Sequence, residues 1–91
     1  MSTEQAVTVA HLLTRGIHAC HTRDLEELRC VVIRLTGTLD FRYEGAARAL
    51  AAMYDRGLCE AERGRFELAR AICRRMLTAL IETVALDSSR A

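Results

Sequence analysis

Proline is absent from all 91 residues, and this absence most restricts the folds open to the chain. Proline interrupts helices because it lacks a backbone N–H and fixes φ, so a chain without it offers few internal stops. Helix-forming residues dominate, and apolar residues recur at alternating steps of three and four, the spacing of a helix with one buried face. The sequence therefore predicts an all-α protein.

Polar caps and apolar stripes mark the first two helices. The first spans 3–22, with Ser2 and Gln5 at capping-box spacing, and Asp24 and Glu27 repeat that spacing at the start of the second. The stripe residues of these two helices are Ala6, Val9, Ala10, Leu13, Ile17 and Cys20, then Leu25, Leu28, Val32, Leu35 and Leu39. Each stripe predicts one face turned towards a common core.

Glycine and aspartate separate the remaining helices. Gly37 fits the end of the second helix, Asp40 can cap the third, and Gly64 ends it. The stripes that follow are Tyr43, Ala46, Ala47, Leu50, Tyr54, Leu58 and Ala61, then Phe66, Ala69, Cys73, Met76, Leu80 and Val84. Short connections favour antiparallel neighbours, so we expect an antiparallel up-down four-helix bundle. It forms one domain over 1–86, followed by a frayed tail at 87–91.

Two glycines fall inside predicted helices rather than at their ends. Gly16 and Gly57 each follow an arginine within an amphipathic pattern. A glycine inside a helix is about 1 kcal/mol less favourable than alanine, so a compensating contact is needed. We expect each glycine to lie where two helices cross closely.

Charge and cysteine usage bear on compartment and partners. The formal net charge is +1 with both signs interspersed, which gives no basic surface for nucleic acid or an anionic membrane. No apolar run approaches the about 20 residues of a membrane span. Four cysteines without an apolar leader predict reduced thiols in the cytoplasm. The arginine and alanine excess is attributed to a GC-rich genome and receives no functional weight.

One cluster of histidine and cysteine could in principle hold a metal. His18, Cys20 and His21 lie close together in the sequence, and His11 and Cys30 could join them. No paired C-x-x-C spacing is present, and histidines at a helix C-terminus interact favourably with its dipole. We predict no metal and no cofactor.

The sequence also lacks a catalytic pattern. Cys20 and Cys73 fall on predicted core faces, where a cysteine behaves as a small hydrophobe. The carboxylates alternate with arginines at ion-pair spacings. No glycine-rich phosphate loop, nucleophile elbow or metalloprotease helix motif occurs. We therefore predict that the protein is not an enzyme.

Several apolar residues remain outside the predicted stripes. They are Leu12, Val31, Ile33, Leu68, Ile72, Leu77 and Ile81. A contiguous exposed group of this kind would indicate a protein interface. The alternative is a core face wider than the stripes suggest, which is common in small bundles.

One further pattern runs through the segment 39–84. It consists of Leu39-Asp40, Gly45, Ala47, Leu50, Met53-Tyr54-Asp55 and Ala61, then Cys73, Met76, Leu77, Leu80 and Val84. In these residues the segment resembles the flagellar secretion chaperones of the FliS family. It implies a cytoplasmic export chaperone of a flagellar or type III secretion system. Such a chaperone binds an amphipathic segment of an export substrate, such as a flagellin-like protein, and prevents its premature assembly.

The surfaces implied by this resemblance lie on the second, third and fourth helices. The expected partner-binding residues are Val31, Leu35, Tyr54, Leu68 and Ile72. Two alternatives remain open: a small inhibitor, antiactivator or adaptor that binds a folded partner, and a homodimeric bundle that buries the surplus apolar face by self-association. A metal-dependent protein would require His18, His21 and a cysteine to converge.

Overall fold

The computed structural model describes residues 3–38 and 44–90, and the elements within them are helical. The helices are α1 (Thr3–Thr22), α2 (Leu25–Thr38), α3, which is α-helical over Glu44–Ala52, π-helical over Met53–Gly57 and α-helical again over Leu58–Glu62, and α4 (Glu67–Arg90). The all-α prediction is confirmed. No described helix is both long enough and apolar enough to cross a membrane.

Most predicted helix boundaries agree with the structure. The first helix begins and ends where the sequence predicts. Predictions at Ser2, Leu39, Asp40 and Tyr43 lie outside the described residues. The fourth helix continues to Arg90, although a frayed tail was predicted from Asp87 onwards. The reason is that residues 87–90 contain no glycine or proline, so nothing in that segment forces the helix to stop.

Two tight turns lie together at one end of the molecule, which we call the closed end. In the first turn, the Asp24 carboxylate accepts a 3.1 Å hydrogen bond from the Glu27 amide and caps α2 as predicted. In the second, Gly64 takes a left-handed φ of 83° and ends α3, also as predicted. The Arg23 guanidinium donates a 2.9 Å hydrogen bond to the Gly64 carbonyl and so joins the two turns.

Contacts between helices establish the antiparallel order. The Gln5 side-chain amide donates a 2.7 Å hydrogen bond to the Thr38 carbonyl, which sets the start of α1 beside the end of α2. A 3.0 Å ion pair between Arg29 and Glu62 sets the start of α2 beside the end of α3. Because α4 packs along α1, the four helices close into the predicted up-down bundle.

The core face is wider than the predicted stripes. Leu12, Val31 and Ile72, three of the surplus apolar residues, belong to the core, whereas Ile33 and Ile81 are exposed. The extra width has a geometric cause. α1 packs along both α2 and α4, so it must bury two adjoining faces rather than one narrow stripe.

Close helix crossings explain the two glycines inside helices. A Cβ placed on Gly16 would lie 3.1 Å from Cys73 Sγ and 3.2 Å from Val31 Cγ1. A Cβ on Gly57 would lie 3.4 Å from Ile72 Cδ1 and 3.6 Å from Ala69 Cα on α4, and 2.7 Å from Met53 Sδ on its own helix. Neither site has room for a methyl group without displacing a neighbour, so the predicted close crossings are confirmed.

Candidate partner-binding groove

The end of the bundle opposite the two turns, which we call the open end, carries an apolar groove. The first segment of α3, Glu44–Ala52, packs only lightly on α4, whereas the later segments of α3 pack closely on it. The space left between the two helices has a volume of about 570 Å³. Val9 and Leu13 of α1 lie at its base, but they are only 1% and 0% exposed, so the accessible lining of the groove belongs to its two walls.

Small side chains explain why α3 leaves this space. The α3 wall consists of Gly45, Ala46, Ala49 and Ala52, together with Arg48. Glycine and alanine side chains are too short to fill the distance between two helices, so the gap stays open. These residues recur at steps of three and four and therefore form one smooth strip along the helix.

Larger side chains form the α4 wall. They are Ile72, Arg75, Met76, Ala79, Leu80 and Thr83. Ile72, Met76 and Leu80 join the bundle core on their inner side and border the groove on their outer side. The groove is thus a continuation of the hydrophobic core that is open to solvent, and an apolar ligand there would extend the core.

The predicted partner-binding residues do not form one surface. Val31 and Leu35 are 0% exposed, so the prediction that they lie on an accessible face is wrong. The reason is the wide buried face of α2 against α1. Ile72 is 9% exposed and is the one residue of the five that borders the groove.

The remaining two predicted residues are exposed but lie outside the groove lining. Tyr54 is 43% exposed and Leu68 is 38% exposed. The Tyr54 hydroxyl forms a 2.7 Å hydrogen bond with Thr36 Oγ1 on α2, so this ring spans the outside of the α2–α3 contact. Neighbouring Met53, which the predicted stripe omitted, fills the interior instead.

The segment in which Met53 is buried and Tyr54 is exposed departs from regular α-helix. Residues Met53–Gly57 are π-helical, and a π-helical turn contains more residues than an α-helical one. The buried positions still follow one another at steps of three and four, from Leu50 through Met53 to Gly57, so the buried face passes through Met53 rather than Tyr54. An apolar methionine also satisfies a closed core better than a tyrosine, whose hydroxyl needs a partner.

The buried thiols are poorly suited to nucleophilic chemistry. Burial raises the pKa of the Cys20 thiol to about 11, although the Arg70 charge acts in the opposite direction. Burial also raises the pKa of Cys73, with a further contribution from Cys20, to about 12. Both thiols therefore remain protonated at neutral pH. Cys30 and Cys59 are exposed free thiols.

The histidine and cysteine side chains of the predicted cluster lie on different faces of α1. His18 and His21 are exposed on α1, while Cys20 is turned into the core. Among the described residues, no three His, Cys, Asp or Glu side chains are grouped closely enough to hold a metal ion.

Sequence reasoning missed most of the groove lining. Ala49, Ala79 and Arg75 were not singled out, because small and charged residues at helical spacing are typical of many solvated faces. The available signal was the strip of glycine and alanine in the third helix. Such a strip predicts a smooth helix surface, but the gap beside it depends on the distance between α3 and α4.

Comparison with known proteins provides no relative for this chain. No family model, curated protein or solved structure matches it. The groove and the side chains around it therefore carry the argument about function.

Proposed function

We propose that this protein is a non-catalytic binding bundle whose groove holds an amphipathic helical segment of another protein. The observation that carries the proposal is the apolar groove of about 570 Å³ at the open end. An apolar concavity that continues the core gives a partner's apolar side chains a place to leave water. The partner is an export substrate, held before its assembly in the cytoplasm.

Helix-in-groove recognition is the physical mechanism. A disordered or loosely folded client segment becomes helical when its apolar face enters the groove, and that same face is then unavailable for assembly with other copies of the client. The smooth strip of Ala46, Ala49 and Ala52 favours a helix as the occupant, because small side chains allow a second helix to approach closely.

The resemblance to FliS chaperones supports the same reading. The segment that carries the resemblance contains both walls of the groove, and Gly45, Met76 and Leu80 belong to the shared pattern as well as to the lining. On this basis we propose a client of the flagellin-like or type III secreted class.

A second candidate function is binding to a folded partner or to another copy of the chain. The observation that favours it is the exposure of Ile33 (65%) and Ile81 (60%), both outside the groove lining. Exposed isoleucines of this kind can mark a flat protein interface when they are contiguous. This candidate includes an inhibitor or adaptor of a regulator, and a homodimeric bundle.

The experiment compares two alanine-to-leucine variants on α4. Ala79 and Ala71 are both exposed, but only Ala79 lines the groove. Wild type, Ala79→Leu and Ala71→Leu would be used to capture clients from a bacterial lysate, with light scattering of each purified protein. We expect Ala79→Leu to lose an unassembled client that Ala71→Leu still captures, because leucine at position 79 fills the groove.

Each other result has a distinct meaning. Equal capture by both variants would exclude the groove as the binding site. Capture of a folded regulator by both would favour the adaptor. A stable dimer without a client, unaffected by Ala79→Leu, would favour self-association through another face.

A further inference from the structure

We propose that the π-helical turn of α3 holds the groove open, because it directs alanines rather than Leu50 and Met53 towards α4. The turn spans Met53–Gly57 and directly follows Glu44–Ala52, the segment that contains the α3 wall of the groove. This inference rests on the proposed function and identifies the part of the backbone that positions its binding site.

One backbone hydrogen bond defines the turn. The Leu58 N–H donates to the Met53 carbonyl, five residues earlier, whereas in an α-helix it would donate to the carbonyl of Tyr54, four residues earlier. The turn therefore encloses one residue more than an α-helical turn does. An α-helix rotates by about 100° per residue, so the extra residue changes the direction of every earlier side chain by about that angle.

Packing on α4 shows which side of the turn is held in place. A Cβ on Gly57 would lie 3.4 Å from Ile72 Cδ1 and 3.6 Å from Ala69 Cα, so the turn ends in close contact with α4. Leu58–Glu62 also packs on α4, whereas Glu44–Ala52 packs only lightly on it. A change in the turn would therefore rotate the first segment of α3 and leave the later one where it is.

This rotation decides which side chains face the groove. With Gly57 held in place, a continuous α-helix would carry each earlier residue to the position now held by the residue before it. Leu50 would take the position of Ala49, and Met53 would take that of Ala52. Two large side chains would then fill the space between α3 and α4, and the groove would be lost.

The sequence contains an apolar stripe suited to that continuous helix as well. Regular α-helical spacing predicts burial of Leu50, Tyr54 and Leu58. In the structure Met53 is 1% exposed, whereas Tyr54 is 43% exposed and its hydroxyl is bonded to Thr36 of α2. The π-helical turn thus selects Met53 over Tyr54 for the core and leaves small residues for the groove.

Two single-residue deletions test whether the turn holds one extra residue. Arg56 is exposed within the turn, and Thr78 is exposed in the regular helix α4. Removing Arg56 leaves a continuous α-helix in which the earlier residues keep their present directions, whereas removing Thr78 rotates Leu80 out of the core by about 100°. We expect the Arg56 deletion to keep a cooperative urea transition within about 1 M of the wild-type midpoint, and the Thr78 deletion to lose about 2 M or more.

A substitution at Leu50 then reports the direction of the first segment. Leu50 is buried, so Leu50→Ala should lower the urea midpoint of wild type and of the Arg56 deletion by the same amount, to within about 0.3 M. A much smaller loss in the deletion would mean that Leu50 has turned to the exposed position of Ala51, and the inference would fail.

A double substitution tests whether the regular helix fills the groove. Met53→Gln with Tyr54→Leu moves the apolar side chain to the position that a continuous α-helix would bury. A thiol introduced by Ala79→Cys lies on the α4 wall and reports access to the groove. We expect the double substitution to slow alkylation of this thiol on the order of tenfold, while alkylation of exposed Cys30 stays unchanged.

The outcomes separate this inference from the proposed function. Similar urea midpoints for the two deletions, or unchanged alkylation in a folded double variant, would overturn the role of the turn. If the double variant does not fold, the deletions and Leu50→Ala decide the inference. A groove that closes as expected, together with client capture unaffected by Ala79→Leu, would contradict the proposed function alone.

Discussion

The closed and open ends of this bundle use small residues in opposite ways. Near the middle and closed part, Gly16 and Gly57 sit where helices cross, and fully buried side chains touch the space that a methyl group would occupy. At the open end, Ala49 and Ala52 face a gap that α4 does not fill. Removing side-chain volume therefore brings helices together in one region and leaves a groove in the other.

The difference between the two ends depends on the contacts that hold the helix backbones together. At the closed end the two turns are joined by the Arg23 to Gly64 hydrogen bond, and the helices that leave them are drawn together from the start. At the open end, Glu44–Ala52 packs only lightly on α4. Small residues thus lie at a close contact where the helices are held together and beside a groove where they are not, which allows stability and binding to reside in separate parts of one small bundle.

The largest expected effect contrasts two buried leucines. Leu28 is fully enclosed near the closed end, whereas Leu80 borders the groove. We expect Leu28→Ala to lower the free energy of unfolding by about 2–5 kcal/mol, because lost burial is combined with a new cavity. Leu80→Ala should lower it by about 1–2 kcal/mol, because its site already opens to solvent.

Urea denaturation followed by circular dichroism measures both leucine variants. The slope of the unfolding free energy against urea indicates whether a variant keeps a cooperative transition. Equal losses in the two variants would mean that the open end is as tightly packed as the closed end, and the contrast between them would fail.

The next effect contrasts two helical glycines. Gly16→Ala places a methyl group against Cys73 and Val31, and we expect a loss of about 1–3 kcal/mol from overpacking. Apart from its chain neighbours and the nearby backbone of its own helix, no described residue places an atom within 4 Å of a Cβ on Gly37 near the end of α2. Gly37→Ala should therefore raise stability by up to about 1 kcal/mol through helix propensity.

Thermal or urea midpoints of these glycine variants provide the measurement. The same glycine-to-alanine change is thus expected to lower stability at a helix crossing and to raise it where the space is open. A gain in stability for Gly16→Ala would show that α1 can move away from α2 and α4 without loss.

Periodicity and caps predicted the fold because local rules decide those features. The spacing of Leu28, Val32 and Leu35 predicted the buried face of α2, and Asp24 caps the helix as its position indicated. Gly64 has the positive φ for which glycine is suited. Each of these predictions depends on neighbours a few residues away, and the structure agrees with them.

The groove depends on the distance between helices, which local rules do not determine. The arginine excess was attributed to a GC-rich genome and given no functional weight, yet only the packed bundle sets Arg48 and Arg75 on opposite walls of the groove. The predicted contact residues Val31 and Leu35 had the right chemistry for an apolar surface. They are buried because α1 and α2 pack along a broad face.

The buried thiols predict how the core responds to alkaline pH. The folded-state pKa values of Cys20 and Cys73 are about 11 and about 12, above the about 8.5 of an exposed thiol. Above about pH 9 the unfolded chain releases these protons while the folded chain keeps them, so stability falls as pH rises. Below that pH the contribution of the protonated thiols is fully present.

Urea denaturation at about pH 8 and about pH 10 measures this slope, with at most about 1 kcal/mol lost per thiol per pH unit. Cys73→Ala should flatten the slope relative to wild type, because it removes one of the two buried thiols. Because wild type and Cys73→Ala share all other titratable groups, the difference between their slopes reports the Cys73 thiol. A slope unaffected by Cys73→Ala would indicate that water reaches the thiol.

The smallest expected effect concerns the outside of the α2–α3 contact. The Tyr54 hydroxyl and Thr36 Oγ1 share a 2.7 Å hydrogen bond at an exposed position. We expect Tyr54→Phe and Thr36→Val each to lower stability by about 0.5–1 kcal/mol. The double variant should lose no more than one single variant, because both remove the same bond.

Thr38→Val is the matched control for this pair. Thr38, like Thr36, donates a hydroxyl hydrogen bond to the carbonyl four residues earlier, at 2.7 Å to Arg34, so its replacement removes the same local bond. Additive losses from Tyr54→Phe and Thr36→Val would argue against the shared bond. Stability loss in Tyr54→Phe with unchanged capture of a client would show that this tyrosine stabilises the α2–α3 contact, because its hydroxyl then acts between helices rather than on a partner.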